Sequence, residues 1–144
     1  MSRSTLARLL QAAALVCAAA LVAACGNDAK DAEVNAVVKD LDAFTQELLA
    51  KVKSAPDPST GVDEAQRHLD ARRAEMAAKM NSIKDVREAQ LSEETRKRLM
   101  ERVTENVMSV SGLQIEYMDE SLRDPAFKAK IEKLTQDYQT LFNR

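Results

Sequence analysis

The chain of 144 residues has no tryptophan, one histidine, two cysteines, three prolines and three glycines, and its aromatics amount to three phenylalanines and two tyrosines. Each shortage excludes something. No glycine-rich loop is present to cradle a phosphate, so a nucleotide site lacks its usual frame. No Cys-x-x-Cys-His occurs, which excludes covalent haem. Around the serines there is no Gly-x-Ser-x-Gly turn to present a nucleophile. A formal net charge of −2 leaves no basic excess for nucleic acid. Strand-like alternation and internal repeats are absent as well.

What is present begins at the N-terminus. Arg3 and Arg8 precede sixteen residues, Leu9 to Ala24, whose only polar member is Gln11. Positive charge followed by an apolar run is the order of an export signal. As a helix the run would reach roughly 24 Å, short of the ~30 Å hydrocarbon core, so it is no membrane span. Val22, Ala23, Ala24 and Cys25 close the run, and Gly26 and Asn27 follow. The two residues before Cys25 are small alanines, and a cysteine thiolate is a strong nucleophile. Cys17 follows β-branched Val16 inside the run and does not fit that pattern.

The segment Val22-Ala23-Ala24-Cys25 resembles the lipobox of bacterial lipoproteins. The resemblance implies a diacylglyceryl group on Cys25, cleavage before it and a further acyl chain on the new amino group. It also implies three segments: a signal peptide over 1–24, a lipidated tether over 25–30 and a helical domain over 31–144. Gly26 after the cysteine implies passage to the outer membrane, with the domain on its periplasmic face. The partners expected are therefore the bilayer, through acylated Cys25, and an envelope protein.

Loss of Arg3 and Arg8 with the signal leaves 19 basic against 23 acidic residues, a net of −4. One cysteine would remain, so no intrachain disulfide could form and the fold must be held by its core. Alanine, leucine, glutamate, lysine and arginine dominate, a helical composition.

Apolar spacing of three and four predicts four amphipathic helices. The first carries Val34, Val37, Val38, Leu41, Phe44, Leu48 and Val52, and the Pro-containing stretch from Ser54 to Gly61 ends it. A second places Ala65, Leu69, Met76, Met80 and Ile83 inward, with Asp63 and Glu64 in its first turn, and stops near Lys84 or Val86. Ser92 caps a third, whose stripe is Leu99, Met100, Val103, Val107, Val110, Leu113 and Tyr117. After a turn over Asp119 to Asp124, Asp124 and Pro125 open a fourth with Phe127, Ile131, Leu134, Tyr138 and Leu141 inward. The fold expected is all-α: an up-down-up-down four-helix bundle after the signal peptide.

Candidate chemistry is sparse. His68 shares a helix face with Glu64 and Arg72, an ion-pair row rather than a metal site, because Glu-x-x-His spacing is missing. Small residues in Ser109-Val110-Ser111-Gly112 suggest close helix approach. Arg96, Lys97, Arg98 and Arg102, with Arg87 before them, form the densest basic run. It suits either anionic headgroups or helical pairs from Glu93 to Lys97 and Glu94 to Arg98. Met108, Ile115 and Met118 widen the apolar arc of the third helix, and burial is the expectation for them. We therefore expect no enzyme, no cofactor and no metal site.

Two other family likenesses were weighed. Leu134-Thr135-Gln136-Asp137-Tyr138 and Leu91-Ser92-Glu93-Glu94 resemble the Leu-Thr-x-x-Gln motif of helical periplasmic chaperones without its glutamine. Attachment to peptidoglycan, as in the major murein lipoprotein, uses a C-terminal lysine, whereas this sequence reads Phe142-Asn143-Arg144.

Overall fold

The computed structural model describes residues 3–84, 86 and 90–142, with side chains from residue 28 onward. All regular structure among these residues is helical. There are five helices: α1 (Arg3–Ser54), α2 (Pro58–Lys84), α3 (Glu93–Glu116), α4 (Met118–Arg123) and α5 (Pro125–Gln139).

Three helix starts have a local cause. The Ser92 side chain accepts the Thr95 N–H at 3.2 Å, and Asp124 accepts those of Ala126 and Phe127 at 2.9 and 3.2 Å, ahead of Pro125. The third repeats the second: Asp57 Oδ1 accepts the Thr60 N–H at 2.9 Å just before Pro58. Hydrogen bonding to Thr60 in turn holds the Asp57 carboxyl below its usual range. Helix α2 thus begins at Pro58, before the Gly61 at which the sequence pattern ended the turn. The second departure is α4, where a turn was expected. At Tyr117 (φ −107°, ψ 28°) the helix bends. Backbone bonding then resumes with Ser121 N–H to Tyr117 O at 3.0 Å.

Helix α1 packs against α2 and α3, and α5 packs against the same two from the opposite side. Ion pairs give the directions. Asp40 with Lys79 and Glu47 with Arg72 set α2 antiparallel to α1. Asp31 with Ser92, Asp42 with Arg102 and Lys53 with Glu116 set α3 parallel to α1. Asp63 with Lys130 and Asp137 with Arg73 set α5 parallel to α2. Consecutive α2 and α3 are not packed side by side among the described residues.

The core lies among α1, α2, α3 and α5. Val34, Leu41, Phe44, Leu48, Ala65, Leu69, Met76 and Leu134 are each fully buried. Each large side chain among them is worth ~1.5–3 kcal/mol of burial. At its centre Thr45 Oγ1 donates to Leu41 O, and the Tyr138 hydroxyl donates to Thr45 Oγ1 at 2.6 Å. Burial pushes the Tyr138 phenol up to about 12. Gly61 marks the closest approach of α2 to α1: a Cβ there would lie 2.5 Å from Val52 O and 3.0 Å from the Ala55 Cβ.

The end of the molecule near Asp31 holds the start of α3, since the Ser92 N–H donates to Asp31 Oδ1 at 3.0 Å. The opposite end holds Asp57, Pro58 and Ser59 beside Glu120, Arg123 and Asp124 around a groove of about 210 Å³. No helix among the described residues is long and apolar enough to cross a membrane.

Candidate functional site

Helix α3 is built differently from its neighbours. Its inner face buries Val110 and Leu113 but also Thr95 and Asn106. Asn106 Nδ2 donates to Asp42 Oδ1 at 2.6 Å and to Arg102 O at 2.8 Å, so the contact of α3 with α1 carries a polar bridge beside the apolar one made by Val110, Leu113 and the partly buried Leu99 and Val103. Its outer face carries a second set of apolar side chains. Met100 is 69% exposed, Met108 68%, Ile115 79%, Met118 55% and Leu122 78%.

These exposures correct two expectations. Met100 does not belong to the core stripe, and Met108, Ile115 and Met118 are not buried. The physical reason is that Leu99, Val103, Val110 and Leu113 already fill the contact of α3 with α1 and α5, so a second apolar face on the same helix is left over. A helix flanked on two sides only leaves its far face to solvent. The expectation of close approach at Gly112 is also overturned, because a Cβ built there meets nothing within 4 Å. Ser109 Oγ donates to Glu105 O at 2.8 Å, an ordinary back-bond within the helix.

The bend at Tyr117 keeps Met118 and Leu122 exposed beyond the end of α3. Tyr117 is fixed there by an edge-on contact with Phe127, ring centroids 5.9 Å apart, and burial pushes its phenol up. A groove opens at each end of this face. One of about 200 Å³ lies among Gln114, Met118, Ser121, Leu122, Lys128 and Ile131. The other, about 370 Å³, lies among Ile83, Val86, Leu91, Leu99 and Met100, with Arg96 and Lys97 on its rim.

Most of the basic run is taken up by intramolecular pairs. Arg98 meets Glu94 at 2.7 Å and also Asn35 of α1. Arg102 meets Asp42 at 2.8 Å and Glu105 at 2.7 Å. Lys97 stands 3.8 Å from Glu101, not beside Glu93. Arg87 lies outside the described residues.

His68 is half-buried, and the acid it meets is Glu47 of α1, which Arg72 shares, rather than Glu64 of its own helix. Its ring stacks on Phe44 at 5.4 Å, and its Nε2 lies 3.2 Å from Glu47 Oε2 of α1 without aligned donor geometry. Arg72 covers the other part of the Phe44 ring at 5.7 Å and also meets Glu47 at 3.6 Å. Burial pushes the imidazole pKa down, and Glu47 opposes that only in part. Among the described residues no three His, Cys, Asp or Glu side chains gather closely enough to hold a metal ion.

The segments that look faintly chaperone-like have structural roles. Leu134, Thr135 and Tyr138 are core, and Ser92 is a helix cap. Val22, Ala23, Ala24 and Cys25, whose pattern resembles a lipobox, lie outside the residues whose side chains are described. Reading the sequence missed Leu122 as a member of the outer face. Its signal was there: Met108, Ile115 and Leu122 recur every seven residues. Comparison of the chain with known protein families, with curated proteins and with solved structures gave no match.

Proposed function

We propose that this protein is a lipid-anchored lipoprotein of the bacterial envelope, whose helical domain is an interaction or structural module on the periplasmic face of the outer membrane. The observation that carries the reading is the run from Arg3 and Arg8 through the apolar stretch to Val22-Ala23-Ala24-Cys25. Acyl chains on Cys25 would anchor it: each buried methylene is worth ~0.8 kcal/mol, one chain binds only marginally, and two or three hold. No catalytic group, cofactor or nucleic-acid partner enters this reading.

The helices in this reading form an up-down-up-down four-helix bundle in which α4 is a bend before the last helix. Its support is the set of pairs that make α1 antiparallel to α2 and parallel to α3, with α5 parallel to α2. Residues 28 to 30 are already helical in α1, so the domain stands close to Cys25. The Asp31–Ser92 end would face the bilayer and the end with Pro58 and α4 would face away.

Mass spectrometry of the processed N-terminus tests the reading. Acylated Cys25 as first residue is the expected result, and Cys25→Ala should move the protein from the membrane to the soluble fraction. An unmodified thiol on protein that is soluble after cell disruption would end it. The exposed methionines favour a second reading, a chaperone-like bundle that holds clients on an adaptable surface. Suppression of client aggregation at substoichiometric specificity for any one partner would select it. Capture of one stoichiometric envelope partner would select the first.

A further inference from the structure

We infer that Met100, Met108 and Met118, on the outer face of α3 and α4, form a modification site: a peroxide oxidises their thioethers to sulfoxides and turns an apolar surface polar without disturbing the fold. The inference goes beyond the interaction-module reading and does not rest on the anchor, since it concerns the helical domain alone.

The methionines divide by burial. Met76 and Met80 of α2 belong to the core, whereas Met100, Met108 and Met118 are each more than half exposed. Three of the five exposed large apolar side chains are therefore thioethers, and the other two, Ile115 and Leu122, are inert to mild oxidants.

Nothing else in the domain competes for the oxidant on equal terms. Residues 31 to 144 contain no cysteine, and the chain has no tryptophan. Tyr138 is buried, Tyr117 is held edge-on to Phe127, and His68 is half-buried on Phe44. The accessible two-electron reductants of the domain are thus gathered on one side of it.

The chemistry is an oxygen transfer. A thioether sulfur gives an electron pair to one oxygen of the peroxide, and the O–O bond breaks as the S–O bond forms. The hydroxyl proton moves to the departing oxygen, which leaves as water or an alcohol. Each methionine loses two electrons and each peroxide gains two. Reversal uses a dithiol, which becomes a disulfide while the sulfoxide oxygen leaves as water.

Placement spares the fold. Met100 borders a groove with Leu91 and Leu99, and Met118 borders another with Leu122 and Ile131. A sulfoxide on these exposed side chains keeps its contact with water. At Met76, which is fully buried, the same oxygen would be an unpaired polar group inside the core. Oxidation therefore changes what α3 and α4 present to solvent, replacing flexible apolar side chains with polar ones at three positions.

Hydrogen peroxide added to the full-length protein in a native cell extract, followed by site-resolved mass spectrometry of its peptides, tests this. Met100, Met108 and Met118 should each gain one oxygen at least ~tenfold faster than Met76 and Met80, whose slow oxidation reports in the same sample that the fold has stayed closed. Methionine sulfoxide reductases for both epimers, with dithiothreitol, should remove those oxygens. The combined variant Met100→Leu, Met108→Leu and Met118→Leu, near-isosteric at exposed positions, should leave the domain without a fast-oxidising methionine. Met76 and Met80 reacting as fast as the outer three would overturn the inference, because the fold would then open with the modification. Protection of the outer three in the extract that is lost on purification would also overturn it, by showing another molecule covering the face. So would sulfoxides that the reductases leave in place.

Discussion

Helix α5 has 15 residues and buries five of them: Phe127, Ile131, Leu134, Thr135 and Tyr138. Helix α3 has 24 and buries four, of which Thr95 and Asn106 are polar. Both carry apolar residues at helical spacing, so periodicity alone does not distinguish them. The difference lies in what surrounds each helix. The apolar face of α5 closes over α1 and α2, with Tyr138 stacked at 6.3 Å on Phe44. Helix α3 also buries Val110 and Leu113 and bonds to α1 through Asn106 and Arg102, but it turns a second apolar set of methionine, isoleucine and leucine outward. An amphipathic helix reports that one of its faces is apolar; whether that face is the core depends on the company it keeps.

Substitutions can break this contrast. The largest effect is expected from Phe44→Ala, which removes the ring between His68 and Tyr138 and should cost ~3–5 kcal/mol in urea unfolding. Met108→Ala on the outer face should change the stability of dilute protein by no more than ~0.5 kcal/mol. Equal losses would mean that the outer face is part of the core after all.

The glycines sharpen the same point with opposite signs. Gly61→Ala forces a Cβ to within 2.5 Å of Val52 O and should destabilise by ~1–3 kcal/mol. Gly112→Ala enters open space in a helix and should stabilise by ~0.5–1 kcal/mol, because the unfolded chain loses freedom. Thermal melts of the two variants should move in opposite directions.

Tyr138→Phe is expected to cost ~1 kcal/mol near neutrality, by removing the hydroxyl that donates to Thr45. It also has a pH signature. The folded phenol titrates at about 12 against 10.0 for the free group, so the folded state holds its proton more tightly. That contribution is complete below pH 10 and is lost as pH rises from there through about 12, because the unfolded chain ionises first. The parent protein should lose stability relative to Tyr138→Phe across that interval, read by chemical unfolding at stepped pH.

The smallest effects belong to surface pairs. Arg98→Ala breaks exposed contacts with Glu94 and Asn35 and should shift stability by no more than ~0.5 kcal/mol, with the shift shrinking in high salt.

Much of the fold was legible in the residues. Asp124-Pro125 announced α5 and Ser92 announced α3, because a cap and a fixed φ act within one turn and need no distant partner. Asp57-Pro58 carried the same message about α2, and was overlooked because a second proline and Gly61 made the stretch read as loop. The positions of Val34 through Val52, of Ala65 through Ile83 and of Phe127 through Leu141 as core also follow from spacing. His68 was placed in the wrong company, since its partners Phe44 and Glu47 lie on α1, more than twenty residues away in sequence. The candidate interaction face was half legible: its residues were visible as an apolar arc, but its exposure was not.

The sequence by itself determined the helices and their starts, since propensity, capping and a period of 3.6 are local properties of the chain. It also carries Val22-Ala23-Ala24-Cys25, a pattern of adjacent residues that resembles a lipobox. Only the tertiary structure decided which helices became neighbours, and with that whether Met108 and Ile115 face a core or the solvent. Burial belongs to the arrangement of whole helices and is written in no single stretch of the chain.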